Sequence, residues 1–238
     1  MEKFIDELIL SERKKRNEKV LDGQIDLERD LPEQYLQTVV MSDKTTSIKI
    51  PAFMKDLPEK LAEEKYEFEP KPQIIKSTQN GNINFTFSLL DVSVEPGQLG
   101  EICQGCKRAW RRILPEMIFY EEGEEDINGI RVYWLEYSNN ALGGKLYNFL
   151  FYAATEQTLV GSMNCPYNRH EVWVKIAKLC MRTLKGRGYD KETAPDHENR
   201  ERDDGVQIYG AASRTDGKLQ EQRDGNPERF AGKVAGII

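Results

Sequence analysis

The sequence has few cysteines and few histidines for its length. Its 238 residues include four cysteines, too few for a disulfide scaffold in a chain of this size, so we expect free thiols. Its two histidines, His170 and His197, leave few candidates for catalysis that depends on an imidazole. These shortages disfavour disulfide-rich folds and histidine-based enzymes.

Long apolar runs and an excess of positive charge are also missing. No uninterrupted apolar segment approaches the roughly 20 residues that a membrane-spanning helix needs. Acidic residues stand near the N-terminus, where a secretory signal is positively charged, and Asp6 and Glu7 interrupt the apolar run there. The formal net charge of -6 argues against a general attraction to phosphate backbones, so we expect no nucleic-acid binding. The sequence predicts a cytoplasmic protein without a membrane span.

Composition divides the chain into three parts. Residues 1–36 combine a short apolar helical pattern with a charged run, and we interpret them as an N-terminal helical appendage. Residues 37–186 carry the alternating strand and helix patterns of a single α+β domain. Residues 187–238 are polar and contain several glycines, which predicts a largely disordered tail.

Two hairpins are predicted in the first half of the domain. In the segment 38–54, β-branched residues flank a polar turn. In the segment 74–91, Asn80 and Gly81 form a strong hairpin turn, and apolar and polar side chains then alternate. This alternation predicts a strand with one buried face and one solvent-exposed face.

The second half of the domain predicts a β-meander closed by a helix. Residues 117–120 predict a short strand, and the acidic residues that follow predict a solvent-exposed loop. The runs 132–137 and 146–152 are apolar on both faces, which is typical of central strands, and 159–164 predicts a third strand. Residues 171–184 have helical periodicity, with one apolar face that predicts packing on the sheet.

The helical segment 97–114 contains the sharpest chemical motif, the C-x-x-C of Cys103 and Cys106. Such a motif at a helix start can lower a thiol pKa and support disulfide exchange. Here the apolar stripe, which runs from Leu99 to Ile113, begins before the motif, and Cys106 falls on its buried side. We therefore interpret both residues as core cysteines, and a thiol-redox protein using them is the alternative function.

Basic side chains cluster on the same helix, away from the apolar stripe. One interpretation is a solvent-exposed helix face. The other is a docking face for an acidic protein segment, including the chain's own acidic residues. On the second interpretation, the candidate partner-binding residues are Lys107, Arg108, Arg111 and Arg112.

No motif predicts a catalytic, metal-binding or cofactor-binding site. A zinc site would need further ligands from Cys165, His170 or Cys180, whose spacing matches no zinc knuckle. The segment 143–145 lacks the frame of a phosphate-binding loop and predicts a turn. The predicted acidic loop lacks the spacing of a calcium-binding loop. We therefore expect no cofactor.

The order of these elements resembles the Mog1/PsbP-like fold, including its bacterial DcrB-type members. The resemblance covers about residues 38–185 and rests on the strands IKIPAFM and NINFTFSLLD, the helix LGEICQGCKRAWRRILP, the meander with its LVGSMNC strand, and the helix EVWVKIAKLCMRTL. It implies a small α/β sandwich, with an antiparallel sheet flanked by helices, that acts through a surface. Known members are mostly binding partners, assembly factors or chaperones, and no family site carries over to particular residues here.

The sequence therefore predicts a non-enzymatic protein-binding module, an adaptor or chaperone for another protein. It leaves the partner and the oligomeric state open, a homo-oligomer included. The meander also raises a structural question, because one covering helix does not explain its apolar side chains on both faces. Either the 97–114 helix and the N-terminal segments cover the second face, or that face is the binding surface.

Overall fold

The computed structural model describes residues 35–66, 70–141 and 143–189. Most of the predicted N-terminal appendage and most of the predicted tail lie outside these residues, as does His197. Within the described ranges the chain forms nine strands, three α-helices and one 3₁₀ helix. None of the helices in this part of the chain is long and apolar enough to cross a bilayer.

The strands and helices follow one another in the order of their numbers. The strands are β1 (Leu36–Val40), β2 (Ser47–Pro51), β3 (Lys55–Asp56), β4 (Ile74–Ser77), β5 (Asn84–Leu89), β6 (Ile118–Ile127), β7 (Ile130–Ala141), β8 (Gly144–Ala153) and β9 (Leu159–Pro166). The α-helices are α1 (Glu59–Lys65), α2 (Leu99–Ile113) and α3 (His170–Met181), and the 3₁₀ helix Tyr167–Arg169 leads into α3.

Seven strands form one antiparallel sheet in the order β3-β4-β5-β9-β8-β7-β6, and β1 and β2 form a separate hairpin. Asn128 and Gly129 connect β6 to β7 with positive φ angles of 51° and 82°, a conformation that asparagine and glycine adopt with least strain. This turn places β6 at one edge of the sheet, with β7 as its one neighbouring strand among the described residues.

Both faces of the sheet are covered. On one face α2 buries Leu99, Cys106 and Trp110 against β7 and β8. On the other face, α3 and the β1–β2 hairpin build a second core around Trp173, whose ring meets the ring of Phe85 on β5 edge-on. The predicted antiparallel sheet flanked by helices is therefore confirmed. The second face of the meander is covered by α2 and is not an open apolar surface.

Strand β5 differs from the sequence prediction, because all six of its residues are buried. Asn84 Nδ2 donates a hydrogen bond to Asn164 Oδ1 on β9 (2.9 Å), and the hydroxyls of Thr86 and Ser162 lie 2.8 Å apart. Since β5 lies between β4 and β9, its polar side chains find partners across the sheet rather than in water. The alternating polar residues of β5 form hydrogen bonds to the neighbouring strand β9. The prediction that one face of this strand is exposed to solvent was wrong.

The predicted acidic loop is also wrong, since these residues continue strand β6 as far as Ile127. Their carboxylates are neutralised by cations from elements on both sides of the sheet. Glu122 binds Lys107 of α2 (2.7 Å), and Glu125 binds Arg182, just after α3 (2.9 Å). These ion pairs allow a run of acidic residues to extend as an edge strand.

The ordered domain continues past the predicted boundary at residue 186. The backbone N–H of Glu156 donates to the carbonyl of Arg187 (3.1 Å), and that of Tyr189 donates to the carbonyl of Ala154 (2.9 Å). Residues 187–189 therefore pair with the connection between β8 and β9. The remainder of the predicted tail lies outside the described residues.

Candidate functional site

The structure divides the predicted basic cluster on α2. Lys107 is buried, and its Nζ lies 2.7 Å from Glu122 Oε2 on β6. The other three members, Arg108, Arg111 and Arg112, are exposed. Lys107 thus binds one of the chain's own acidic residues, and the three arginines remain accessible to a partner.

Glu122 is the centre of a small polar network between α2 and β6. Besides Lys107, its carboxylate accepts hydrogen bonds from the Tyr133 hydroxyl (2.7 Å) and from Gln104 Nε2 (3.1 Å). Burial alone would raise the pKa of Glu122, but the hydrogen bonds from Lys107, Tyr133 and Gln104 outweigh burial and hold the pKa below its usual value. The network ties α2 to the edge of the sheet.

The two cysteines of the C-x-x-C motif lie inside the contact between α2 and the sheet. Both are fully buried. Burial raises the pKa of the Cys103 thiol well above its usual value and that of Cys106 to about 12. Disulfide exchange requires an accessible thiolate, so this environment disfavours the redox alternative.

The four cysteines do not converge on one site. Cys103 and Cys106 belong to the core beneath α2, whereas Cys165 and Cys180 belong to the core on the opposite face of the sheet. The sheet therefore separates the ligands that the zinc alternative would need. In the described ranges, no group of three or more histidine, cysteine, aspartate or glutamate side chains is arranged to hold a metal ion.

Exposed apolar side chains concentrate where α2 ends and β6 begins. Of the six large apolar side chains exposed in the described residues, four lie between positions 113 and 120: Ile113 (69%), Leu114 (38%), Ile118 (48%) and Tyr120 (38%). A tight turn connects the two elements, with the Met117 N–H donating to the Leu114 carbonyl (3.0 Å). The turn brings the last turn of α2 next to the first residues of β6.

The sequence prediction placed Ile113 on the buried stripe of α2, but in the structure Ile113 is exposed. The stripe is buried only as far as Trp110 (3% exposed), whereas the described elements leave Ile113 uncovered in the last turn. Together with its neighbours it forms a surface that we call the α2–β6 corner. The corner consists of Arg108, Arg111, Arg112, Ile113, Leu114 and Ile118.

The arginines of the corner carry charge that the described structure does not neutralise. Within the described part of the chain, none of the ion pairs involves Arg108, Arg111 or Arg112. Arg111 Cζ lies 5.1 Å from the ring centroid of Phe119, so its guanidinium is placed beside an aromatic side chain of β6. The corner carries three exposed positive charges, with the exposed Glu116 in the turn between Leu114 and Ile118, on a chain of net charge -6.

A cluster of aromatic rings lies on the other side of the same edge. A β-bulge between Phe119 and Glu122 sets two residues of β6, Tyr120 and Glu121, opposite the single residue Glu136 of β7. Tyr120 therefore projects onto the α3 face. There it joins the group that we call the aromatic cluster: Tyr120, Tyr147, Tyr167 and His170.

Close ring contacts hold the aromatic cluster together. Ring centroids are 5.2 Å apart for Tyr120 and Tyr147, 4.6 Å for Tyr147 and His170, and 4.9 Å for Tyr167 and His170. The exposed side chain of Lys145 places its Nζ 4.1 Å above the Tyr167 ring and 3.5 Å from the Tyr120 hydroxyl. Lys145 belongs to the predicted turn 143–145, but the structure places it on β8, which begins at Gly144.

A buried charge supports the aromatic cluster from below. Glu136 is 4% exposed and accepts a hydrogen bond from the Tyr147 hydroxyl, while Lys178 Nζ lies 2.6 Å from its Oε1. Burial and the neighbouring Glu136 carboxylate raise the pKa of Tyr147, so its hydroxyl keeps its proton and remains a donor. This arrangement was not predicted from the sequence, although a glutamate inside the apolar run around Trp134 and Leu135 is a signal of a buried ion pair.

The chain is an antiparallel α/β sandwich with a basic, apolar corner and, across the β6 edge, an aromatic cluster in which Tyr120 is exposed and Tyr167 and His170 are half-buried. No family model and no curated protein matches the sequence. Similar solved structures include CyanoP, a cyanobacterial PsbP from Synechocystis sp. PCC 6803, with a TM-score of 0.47 and 11% identity over 64% of this chain and 92% of that one.

Two further similar structures come from other bacteria. LpqN of Mycobacterium tuberculosis, involved in cell envelope biogenesis, has a TM-score of 0.40 and 13% identity over 63% of this chain and 90% of its own. The immunity protein TplEi of Pseudomonas aeruginosa has a TM-score of 0.37 and 8% identity over 65% and 73%. A PsbP protein among these structures agrees with the resemblance in the sequence.

Proposed function

We propose that this chain is a non-enzymatic protein-binding module that docks an acidic segment of another protein at the α2–β6 corner. One observation carries the proposal: of the six exposed large apolar side chains in the described residues, Ile113 and Leu114 end α2 and Ile118 begins β6, in the same stretch as three exposed arginines. Contiguous exposed apolar side chains rimmed by charge are typical of protein interaction sites.

The apolar part of the corner supplies the affinity. Full burial of an isoleucine or leucine side chain contributes about 1.5–3 kcal/mol. Because Ile113 is 69% exposed, covering it with a partner contributes about 1–2 kcal/mol on the same scale. Ile118 is 48% exposed and adds a smaller amount. A few such side chains are sufficient for an interface in which a small number of residues dominate binding.

The arginines supply the selectivity. A guanidinium binds a carboxylate through two parallel hydrogen bonds, a geometry that lysine does not reproduce. Exposed charge pairs at the rim of an interface add little affinity, but they steer association and repel partners of like charge. Three arginines at one corner therefore favour an acidic segment over a basic one.

The covered sheet favours an adaptor over a chaperone as the role of this module. A chaperone that holds an apolar segment needs a large open apolar face, and in the described structure α2 and α3 already cover both faces. A corner with a few exposed side chains suits docking of a short segment. The cytoplasmic location stays a prediction from the sequence.

Charge reversal at the corner tests the proposal. The wild-type chain, an Arg108→Glu/Arg112→Glu variant and a Lys55→Glu/Lys60→Glu control of equal net charge are each immobilised and exposed to native lysate. Lys55 and Lys60 are exposed on β3 and α1, and β3 is the edge of the sheet opposite β6. We expect the wild type and the control to capture the same stoichiometric protein, and the arginine variant to capture at least about tenfold less. Equal capture by all three, or no stoichiometric partner for any of them, would overturn the proposal.

A further inference from the structure

We propose that the docking surface continues around the edge of β6 onto the aromatic cluster, where an apolar side chain of the same acidic segment packs against Tyr120 and Tyr167 beside Lys145. This inference rests on the proposed function and adds a second contact to it. The partner is a protein segment that combines carboxylates with an aromatic or aliphatic anchor residue.

Two adjacent residues of β6 join the surfaces. Phe119 pairs with Tyr137 and lies on the α2 face beside Arg111, whereas Tyr120 lies on the α3 face in the aromatic cluster. Because β6 is an edge strand, no described element separates the two faces at this point. A segment that crosses the edge here contacts the arginines on one side and the aromatic cluster on the other.

The aromatic cluster is held in place before any partner binds. The Tyr120 hydroxyl lies 2.9 Å from Ser138 Oγ and 3.3 Å from the Tyr167 hydroxyl. Beneath these rings, Tyr147 is fixed by its hydrogen bond to the buried Glu136. Rigid aromatic side chains lose little conformational entropy on binding, so an exposed and fixed ring is an efficient contact for an anchor residue.

The charge at the aromatic cluster selects the type of ligand. A cationic ligand would stack over a ring, but Lys145 already occupies that position over Tyr167, with its Nζ 4.1 Å from the ring centroid. A second cation would meet the Lys145 charge here and the arginines across the edge. A carboxylate next to the anchor residue would instead be attracted by both groups.

The rest of the β6 edge limits where the segment lies. Glu121 lies in the bulge next to Tyr120, Glu124 and Asp126 lie beyond it, and these carboxylates are engaged by Lys178 and Arg131. An acidic segment gains nothing from these residues and is repelled by them. The contact therefore centres on the first residues of β6, next to Ile118.

A peptide-binding experiment tests the inference with the full chain. The probe is a short fluorescent peptide rich in glutamate with a central phenylalanine–leucine pair, and anisotropy gives its Kd. We expect Lys145→Glu and Tyr167→Ser each to raise the Kd about 5–10-fold, in line with the loss of one charge contact or one aromatic contact. Tyr167→Phe, which keeps the ring, and Lys55→Glu, on β3 at the opposite edge of the sheet, should bind like the wild type.

The outcomes separate this inference from the proposed function. If Arg108→Glu/Arg112→Glu weakens the peptide but Lys145→Glu and Tyr167→Ser do not, the segment stays on the α2 side and the inference is wrong. If no variant changes the Kd, or if a peptide with lysines in place of glutamates binds equally well, both proposals fail. If sedimentation shows a dimer that Tyr167→Ser dissociates, a second copy of the chain occupies the aromatic cluster and the inference is likewise overturned. Unchanged thermal unfolding of each variant verifies that the fold is intact.

Discussion

Replacement of Lys107 by methionine tests whether the predicted basic cluster is divided as the structure indicates. The substitution removes the ammonium group that lies 2.7 Å from Glu122 and keeps a flexible side chain of similar length. Glu122 retains its hydrogen bonds from Tyr133 and Gln104. Lys107→Met therefore isolates the contribution of one ion pair between α2 and β6.

The expected loss follows from the exposure of the two partners. A hydrogen bond to a charged group contributes about 1.5–3 kcal/mol to stability. The Glu122 side chain is 34% exposed, so water replaces part of the lost interaction, and we expect a loss of about 1–2 kcal/mol. Methionine fills the space of the lysine stem, which keeps the packing cost small.

Urea unfolding measures the effect, with Arg108→Met as the matched control. Arg108 is exposed on the same helix, so its replacement should change the free energy of unfolding by less than about 0.5 kcal/mol. Lys107→Met should also bind the glutamate-rich peptide as tightly as the wild type. If Lys107→Met is as stable as the wild type, or if it weakens peptide binding, Lys107 belongs to the docking surface and the assignment is refuted.

Three further predictions concern the core, the thiols and the acid response. In Gly161→Ala the new Cβ would lie 2.2 Å from Cζ of the buried Phe151, so we expect urea unfolding to show a free energy of unfolding lower by about 1–3 kcal/mol or more. The control Gly97→Ala, whose new Cβ would have nothing within 4 Å, should cost far less. All four cysteines are buried, so a maleimide should label no thiol of the native chain and all four after unfolding, and fast native labelling would contradict the buried environment. The pKa of Glu122 in the folded chain is lowered from 4.5, so its contribution to folding stability is complete above pH 4.5 and is lost as the pH falls through the folded pKa. Acid should therefore destabilise Glu122→Gln less than the wild type, which urea unfolding at about pH 3–6 measures.

The order of most elements could be predicted because apolar periodicity reports directly which side chains are buried. The meander and the closing helix follow from such patterns, and β7 and β8 are buried on both faces as predicted. The start of β6 was predicted as a short strand, but its extension through the acidic residues to Ile127 could not be predicted in this way. Its carboxylates are neutralised by residues distant in sequence, such as Lys178 and Arg182, and only the folded chain brings these cations beside Glu121 and Glu125.

The candidate site could be predicted in part. The basic side chains of α2 were visible as a cluster, but the sequence did not show that Lys107 reaches Glu122 or that Ile113 is left uncovered. The aromatic cluster depends on strand register. Tyr120 and Tyr147 are 27 positions apart, and they stack only because the bulge in β6 projects Tyr120 onto the α3 face. No local pattern in the sequence contains that information.

Methyl NMR of the isoleucine side chains is the most direct test of the docking surface. Titration of the labelled chain with the glutamate-rich peptide should shift the methyl resonances of Ile113 and Ile118, which are 69% and 48% exposed at the α2–β6 corner. The buried Ile48 and Ile50 of the β1–β2 hairpin serve as internal references and should not move. Shifts confined to Ile113 and Ile118 are the result that we expect. Shifts elsewhere with these two unchanged would contradict docking at this corner.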